Sequence, residues 1–165
     1  MSAYKKCLVY RPTSYKVREK LRNLENKKDI FTYFDSTDVY TLIKNSPSAK
    51  DYLDDNSIIL SHDIQKVVYG DGASESKETI VIKVLNKDGV DEWKEYGIYY
   101  NYYSQKLMIE KAEVVKNNGS KITAERNDNS IVFTSLEPED AIHISYRIQN
   151  FYSGSLAKQF WDKQY

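Results

Sequence analysis

The stretch QKLMIEKAEVVKNNGSKI, residues 105–122, decides how the surrounding chain folds. Its first apolar pair, Leu107 and Ile109, has the spacing of two that places side chains on one face of a β-strand. The next apolar pair, Ala112 and Val114, falls on even-numbered positions and would therefore face the opposite side of a regular strand. A strand keeps both pairs on one face only if it inserts a residue, so the pattern predicts a β-bulge at residues 110–111.

A turn signal follows this strand directly. Asn118 and Gly119 tolerate positive φ cheaply, which predicts a two-residue β-hairpin. Together with Ser120 they also form a glycosylation triplet, but the turn explains the same residues better.

The other periodic segments also have strand character. The turn Gly70–Gly72 reverses IILSHDIQKVVY into ESKETIVIKVL, where apolar residues on both faces predict a central strand covered on two sides. NKDG, residues 86–89, predicts the next turn. AIHISYRIQNF, residues 141–151, alternates so cleanly that one face is expected to be buried and the other wet. Together these segments predict a mainly β fold, an antiparallel Ig-like β-sandwich.

The first third of the chain has helical periodicity instead. A helix is predicted before Pro12, and Ser14 is expected to cap a second one with Leu21 on its apolar face. Ser36 or Thr37 is expected to cap a third, short helix. We therefore divide the chain into a helical segment (1–35), a short helix with a linker (36–57) and a β-sandwich (58–165), for which we consider a truncation at the C-terminus.

The stretch EYGIYYNYYSQKL, residues 95–107, holds five tyrosines and is predicted to be a strand. Period two splits the rings between two faces: Tyr96, Ile98, Tyr100 and Tyr102 on one, and Tyr99, Asn101 and Tyr103 on the other. The second, more polar set is the candidate ligand or partner surface, although cross-strand packing on a half-exposed sheet explains the rings more simply. The aromatic tail adds Phe160, Trp161 and Tyr165, which would form an exposed patch at a severed domain interface.

Composition excludes several functional classes. The 24 basic and 24 acidic residues balance, which favours neither nucleic acid nor anionic lipid as a partner. No apolar run is long enough for a membrane span, and no signal peptide is recognisable in these residues. Phosphate-loop, dinucleotide and serine hydrolase motifs are absent, and no ligand spacing suggests a metal, so we predict no cofactor.

We also predict no catalysis and no catalytic residues. Cys7 is the single cysteine, and it occupies a packing position of the first helix. His62 and His143 are interpreted as solvated strand histidines.

Two segments resemble known families. The spacing of Tyr4, Cys7 and Pro12 is similar to that in the second helix of a tetratricopeptide repeat, with any short helical hairpin as the alternative. Residues 37–151, with the parity change after Ile109 and the Asn-Gly turn, resemble a bacterial β-sandwich domain of unknown function. That domain precedes transglutaminase-like domains in large envelope or secreted proteins, often after tetratricopeptide repeats. It usually has glycine where this chain has Glu139.

The resemblance implies a non-catalytic accessory module that positions or occludes a downstream transglutaminase-like domain. It implies that the neighbouring domains of the parent chain are the partners, and that the location is extracytoplasmic, in the periplasm or cell envelope. The alternatives are a glycan- or peptide-binding module that uses the surface tyrosines, and a structural spacer.

Overall fold

The computed structural model describes residues 3–152 and consists mainly of antiparallel β-structure with a helical N-terminal segment. The α-helices are α1 (Ala3–Tyr10), α2 (Tyr15–Leu24), α3 (Val39–Lys44) and α4 (Lys87–Trp93), with 3₁₀ turns at Ile30–Tyr33 and Ala49–Asp51. The strands are β1 (Ser57–Val68), β2 (Ser74–Val84), β3 (Glu95–Gly97), β4 (Gln105–Val115), β5 (Lys121–Thr123), β6 (Glu125–Asn127), β7 (Ser130–Val132) and β8 (Ala141–Asn150). Within the described residues, no helix has the length and apolarity needed to cross a membrane.

The strands form two sheets that enclose the core. The larger sheet has the order β1-β2-β8-β4-β5, and the smaller one has the order β3-β7-β6. Fully buried aliphatic residues from the large sheet, such as Ile82 and Ile142, belong to one hydrophobic cluster with Ile131 of the smaller sheet and with Phe133, which follows β7. The mainly antiparallel, sandwich-like fold predicted from the sequence is thereby confirmed.

The parity argument for β4 is confirmed. The register between β4 and β8 shifts between Ile109 and Lys111, which leaves Glu110 as the extra residue of a bulge. Leu107 and Ile109 therefore pack against the same core as Ala112 and Val114. The bulge also places the Glu110 carboxylate next to Arg147 of β8 and 3.1 Å from Lys77 of β2.

The hairpin after β4 forms at the predicted residues but with a longer loop. Gly119 has φ of +84°, whereas Asn118 does not have a positive φ. The Gly119 amide donates to the Lys116 carbonyl, and the Lys116 amide donates to the Ser120 carbonyl. This pattern is a three-residue loop with a bulge at glycine rather than a two-residue turn.

The predicted turn at NKDG is wrong, because these residues begin helix α4. The Asn86 side chain accepts a hydrogen bond from the Gly89 amide at 3.0 Å and caps the helix. Val90 and Trp93, three residues apart, then pack against the core. The asparagine that suggested a turn is therefore a helix cap.

The helices of the N-terminal segment are confirmed, but their caps differ from the prediction. Asp38, not Ser36 or Thr37, caps α3 by accepting from the Tyr40 and Thr41 amides. The Ser14 side chain makes no capping hydrogen bond to α2. The repeat-like origin of α1 and the division into three segments stay predictions.

The prediction of one wet face on β8 is also wrong, because the N-terminal segment covers it. The Tyr15 hydroxyl lies 2.6 Å from the carbonyl oxygens of both Ser74 and Asn150. Further along the strand, Arg147 donates to Asp29 at 2.8 Å and lies over the Phe31 ring. The polar side of the large sheet is therefore a buried, hydrogen-bonded interface between helical segment and sandwich.

Candidate functional site

The tyrosine-rich stretch is a turn rather than the predicted strand. Strand β3 ends at Gly97, and the Asn129 amide group then holds the Ile98 carbonyl at 2.9 Å. Asn101 organises the next residues, since its side-chain oxygen accepts from the Tyr103 amide and its carbonyl accepts from the Gln105 amide at 2.7 Å. Asparagine favours such turns because its short side chain bonds to the backbone two residues later.

Because the stretch turns, the two-face division of the tyrosines fails. Ile98 is buried as expected, but Tyr102, which was assigned to the same face, is exposed. Tyr102 instead packs against Tyr103, with 3.8 Å between the ring centroids. A hydrogen bond between the two hydroxyls raises the pKa of Tyr102.

The structure places all three predicted surface residues of this stretch, Tyr99, Asn101 and Tyr103, in solvent. Tyr99 is 95% exposed and Tyr103 is 75% exposed. The side-chain oxygen of Asn101 is already used within the turn, so Asn101 shapes the surface more than it offers a ligand contact. Phe160, Trp161 and Tyr165 lie outside the described residues.

Two further aromatic residues extend this surface. The Phe151 amide donates to the Ser104 carbonyl at 2.7 Å, immediately after β8 pairs with β4. This hydrogen bond brings Phe151 and Tyr152 close to Tyr103, which directly precedes Ser104 in the chain. We call the exposed set the aromatic end: Tyr99, Tyr102, Tyr103, Phe151 and Tyr152. Exposed apolar groups gathered at one place are typical of protein or ligand contact surfaces.

Strand periodicity places Phe151 at the end of the half-buried strand 141–151 and gives Tyr152 no role, so it misses both residues as part of this surface. A signal for them was present. The alternation of apolar and polar residues in β8 stops at Asn150, and two consecutive aromatic residues cannot both face one side of a strand.

Comparison with known families places this fold. The family model described as a domain of unknown function with solved structure, DUF3857, matches residues 70–165, which is more than half of the chain. The chain belongs to the DUF3857 family. No curated protein matches the sequence.

One solved structure resembles the DUF3857 chain. It is the 2.00 Å crystal structure of a "putative protease" from Parabacteroides distasonis ATCC 8503, with a TM-score of 0.54 and 17% identity over 60% of this chain. At this level of identity the likeness concerns the fold alone. The alignment covers 24% of that protein, so the chain spans about a quarter of its length.

The histidines of this DUF3857 chain are not solvated as predicted, because each one bonds to a carboxylate. The His62 ring lies 2.6 Å from Glu78, and the His143 ring lies 3.2 Å from Glu113. His143 is buried beneath Tyr40 of α3, and burial lowers its pKa despite the neighbouring carboxylate.

Glu113 completes a buried polar network around His143. Burial alone raises the pKa of Glu113, but hydrogen bonds from the Tyr40 hydroxyl and from His143 outweigh it, so this pKa lies below its usual value. The arrangement joins α3 to the sheet and leaves both side chains engaged with each other.

The other chemical candidates stay isolated. Cys7 is a free, half-buried thiol in α1. Within residues 3–152 there is no group of three or more histidine, cysteine, aspartate or glutamate side chains that could hold a metal ion. The aromatic end is therefore the candidate functional site, and its chemistry is that of a contact surface.

Proposed function

We propose that the chain is a non-catalytic accessory module of a larger multidomain bacterial protein, and that its aromatic end binds a neighbouring domain. The observation that carries this proposal is the position of Phe151 and Tyr152. They join the exposed tyrosines of the 98–104 turn at the C-terminal end of the described residues. A domain that follows the described residues would reach the aromatic surface with little cost in loop closure.

Two comparisons support a multidomain parent. The similar crystal structure is of a protein about four times as long as the matched part. The resemblance to domains that precede transglutaminase-like domains supports a following domain of that class, and an extracytoplasmic location. The description of the similar protein as a "putative protease" supports a parent protein that acts on proteins.

The proposal is tested by binding. Residues 1–165 and the domain that follows them in the parent protein are produced separately and mixed in a calorimeter. We expect binding by the wild-type chain and a loss of about tenfold or more in affinity for Tyr99→Ser/Tyr103→Ser, because aromatic anchors dominate contact surfaces. Tyr10→Ser is the matched control, since Tyr10 is equally exposed but lies on α1. The absence of binding, or equal binding by both variants, would refute the proposal.

A second candidate function is glycan or peptide binding by the same turn. The observation that favours it is the exposed, closely packed ring pair of Tyr102 and Tyr103 next to Tyr99. Rigid tyrosine rings stack on sugars and anchor peptides while their hydroxyls bond to polar groups. A glycan array and a peptide library should then give hits that disappear in Tyr99→Ser/Tyr103→Ser and persist in Tyr10→Ser. A screen without such hits would exclude this function.

A further inference from the structure

A second surface feature, with no lining residue from the tyrosine turn, is a cavity of about 690 Å³ between α3, its following linker and the β4–β5 hairpin. Its apolar lining comes from Ile43 and Val115, together with Tyr40. Four lysines, Lys44, Lys83, Lys116 and Lys121, also line it, whereas Glu139 is the single acidic residue among the lining residues. We call this feature the lysine cavity.

The lysines of the cavity differ in how fully they are neutralised. The Lys116 ammonium donates to Glu137 at 2.5 Å, to Asp140 at 2.6 Å and to the Ser135 carbonyl at 2.9 Å. These three acceptors use all three of its N–H groups. Lys116 therefore stabilises one side of the cavity by joining the β4–β5 hairpin to residues 135–140.

Lys83 is held by a single carboxylate among the described residues. Its side chain is 7% exposed and its ammonium lies 3.2 Å from Glu139, whose other oxygen accepts from the Ala49 amide at 2.7 Å. Two of the three N–H groups of Lys83 thus have hydrogen-bonding capacity left. A buried ammonium that borders a cavity favours an anion there.

Among the described residues, Lys44 and Lys121 have no direct ion pair. Neither has a carboxylate within 4.0 Å among residues 3–152, and both are exposed at the cavity. The Lys121 ammonium lies 3.2 Å above the centre of the Tyr40 ring, and the Tyr40 hydroxyl is in turn fixed on Glu113. The cavity therefore combines a rigid aromatic and aliphatic wall with two cations free to take a ligand.

We propose that the lysine cavity is a binding site for a carboxylate-bearing ligand with an apolar body. The carboxylate bonds to Lys44 and Lys121, and the body lies on Ile43 and Val115. The carboxylate can come from a free organic acid or from an acidic side chain of a peptide, and both present the same chemistry. The proposal is independent of the aromatic end.

The test uses the uniformly ¹⁵N-labelled chain and three probes: glutarate, its neutral diamide and a hexaglutamate peptide. We expect saturable shifts of the amide signals of residues 117–119 with glutarate or with the peptide, and none with the diamide. In Lys44→Gln/Lys121→Gln the affinity should fall about tenfold or more, because charge-assisted hydrogen bonds are lost. Lys87→Gln, which removes an exposed lysine at the start of α4, should bind as the wild type does.

The probes also distinguish the two sources. Binding of glutarate indicates a free acid, and binding of the peptide alone indicates an acidic protein segment. The proposal is overturned if neither acidic probe gives saturable shifts up to about 10 mM, a range that covers weak specific sites. It is also overturned if Lys44→Gln/Lys121→Gln binds as the wild type does. The spectra report folding of each variant, and Lys44→Arg/Lys121→Arg should keep binding.

Discussion

Glu139 has a left-handed backbone conformation, with φ of +71°, that residues with a β-carbon avoid. Glycine adopts this conformation without strain, whereas this chain has the larger glutamate there. The side chain explains why, since its carboxylate bridges the Ala49 amide and the Lys83 ammonium. The local strain is thus offset by contacts that join the linker to the sandwich.

Replacing Glu139 by glycine should therefore destabilise the chain. Relief of the left-handed strain gains about 1 kcal/mol, whereas an uncompensated buried ammonium costs about 3 kcal/mol. We expect Glu139→Gly to lose about 2 kcal/mol in urea unfolding. Glu139→Gly/Lys83→Met should recover most of this loss, because the buried charge is gone. A single variant as stable as the wild type would contradict the assigned role of Glu139.

His143 gives the fold a dependence on pH. It lies beneath Tyr40 and faces Glu113, with Lys111 and Lys121 nearby. Burial lowers its pKa below the usual value, and the two lysines lower it further, so the folded state favours the neutral ring. The unfolded chain then binds the proton more readily than the folded one does.

The sign of the effect follows from this lowered pKa. The stabilisation is complete above the unfolded pKa of about 6.5, and it is lost as the pH falls through the folded pKa. We expect the free energy of unfolding to decrease between about pH 7 and pH 5.5, with at most about 1.4 kcal/mol per pH unit from this residue. His143→Gln should show a shallower dependence in urea titrations, and Tyr10→Ser should keep the wild-type one. An equally steep pH dependence of the free energy of unfolding in His143→Gln would exclude His143 as its cause.

At the scale of elements, helix α4 depends on a close approach between two backbones. A β-carbon on Gly89 would lie 2.0 Å from the Asn56 carbonyl oxygen, which is a severe overlap. The same glycine amide bonds to the cap residue Asn86. Gly89 is therefore required for packing, although alanine has the higher helix propensity by about 1 kcal/mol.

Gly89→Ala should reverse the usual effect of this substitution in helices. We expect a loss of about 2 kcal/mol or more, because the backbone of residues 56 and 89 must separate. Gly97→Ala is the matched control, since nothing lies within 4 Å of a β-carbon at Gly97. Urea midpoints of the two variants measure the difference. A stabilised Gly89→Ala would show that α4 does not approach Asn56 as described.

Elements set by local pattern were predictable, and those set by distant contacts were not. The bulge at Glu110 follows from a parity change visible in eight residues, and the hairpin follows from one dipeptide. The burial of both faces of β8 depends on a segment more than a hundred residues earlier, which strand alternation does not encode. The tyrosine stretch was misassigned because β-propensity outweighed the single turn-forming Asn101. Tyr99 and Tyr103 were selected by a strand periodicity that the turn does not keep, whereas Phe151 and Tyr152 required the β4–β8 register.

At the scale of the whole molecule, the two sides of the large sheet have different roles. One side forms the apolar core with the smaller sheet, while the other is a polar interface with the N-terminal segment. Both are already covered within the chain. The aromatic end gathers five exposed aromatic residues, and we therefore assign partner binding to it.

Hydrogen exchange measures whether a following domain covers the aromatic end. Exchange of the amides of residues 99–104 and 151–152 is compared between the chain 1–165 and a longer protein that includes the following domain. We expect slower exchange of these amides in the longer protein, because a docked domain excludes water, and unchanged exchange of the exposed helix α1. Equal exchange of the aromatic end in both proteins would contradict partner binding by this surface.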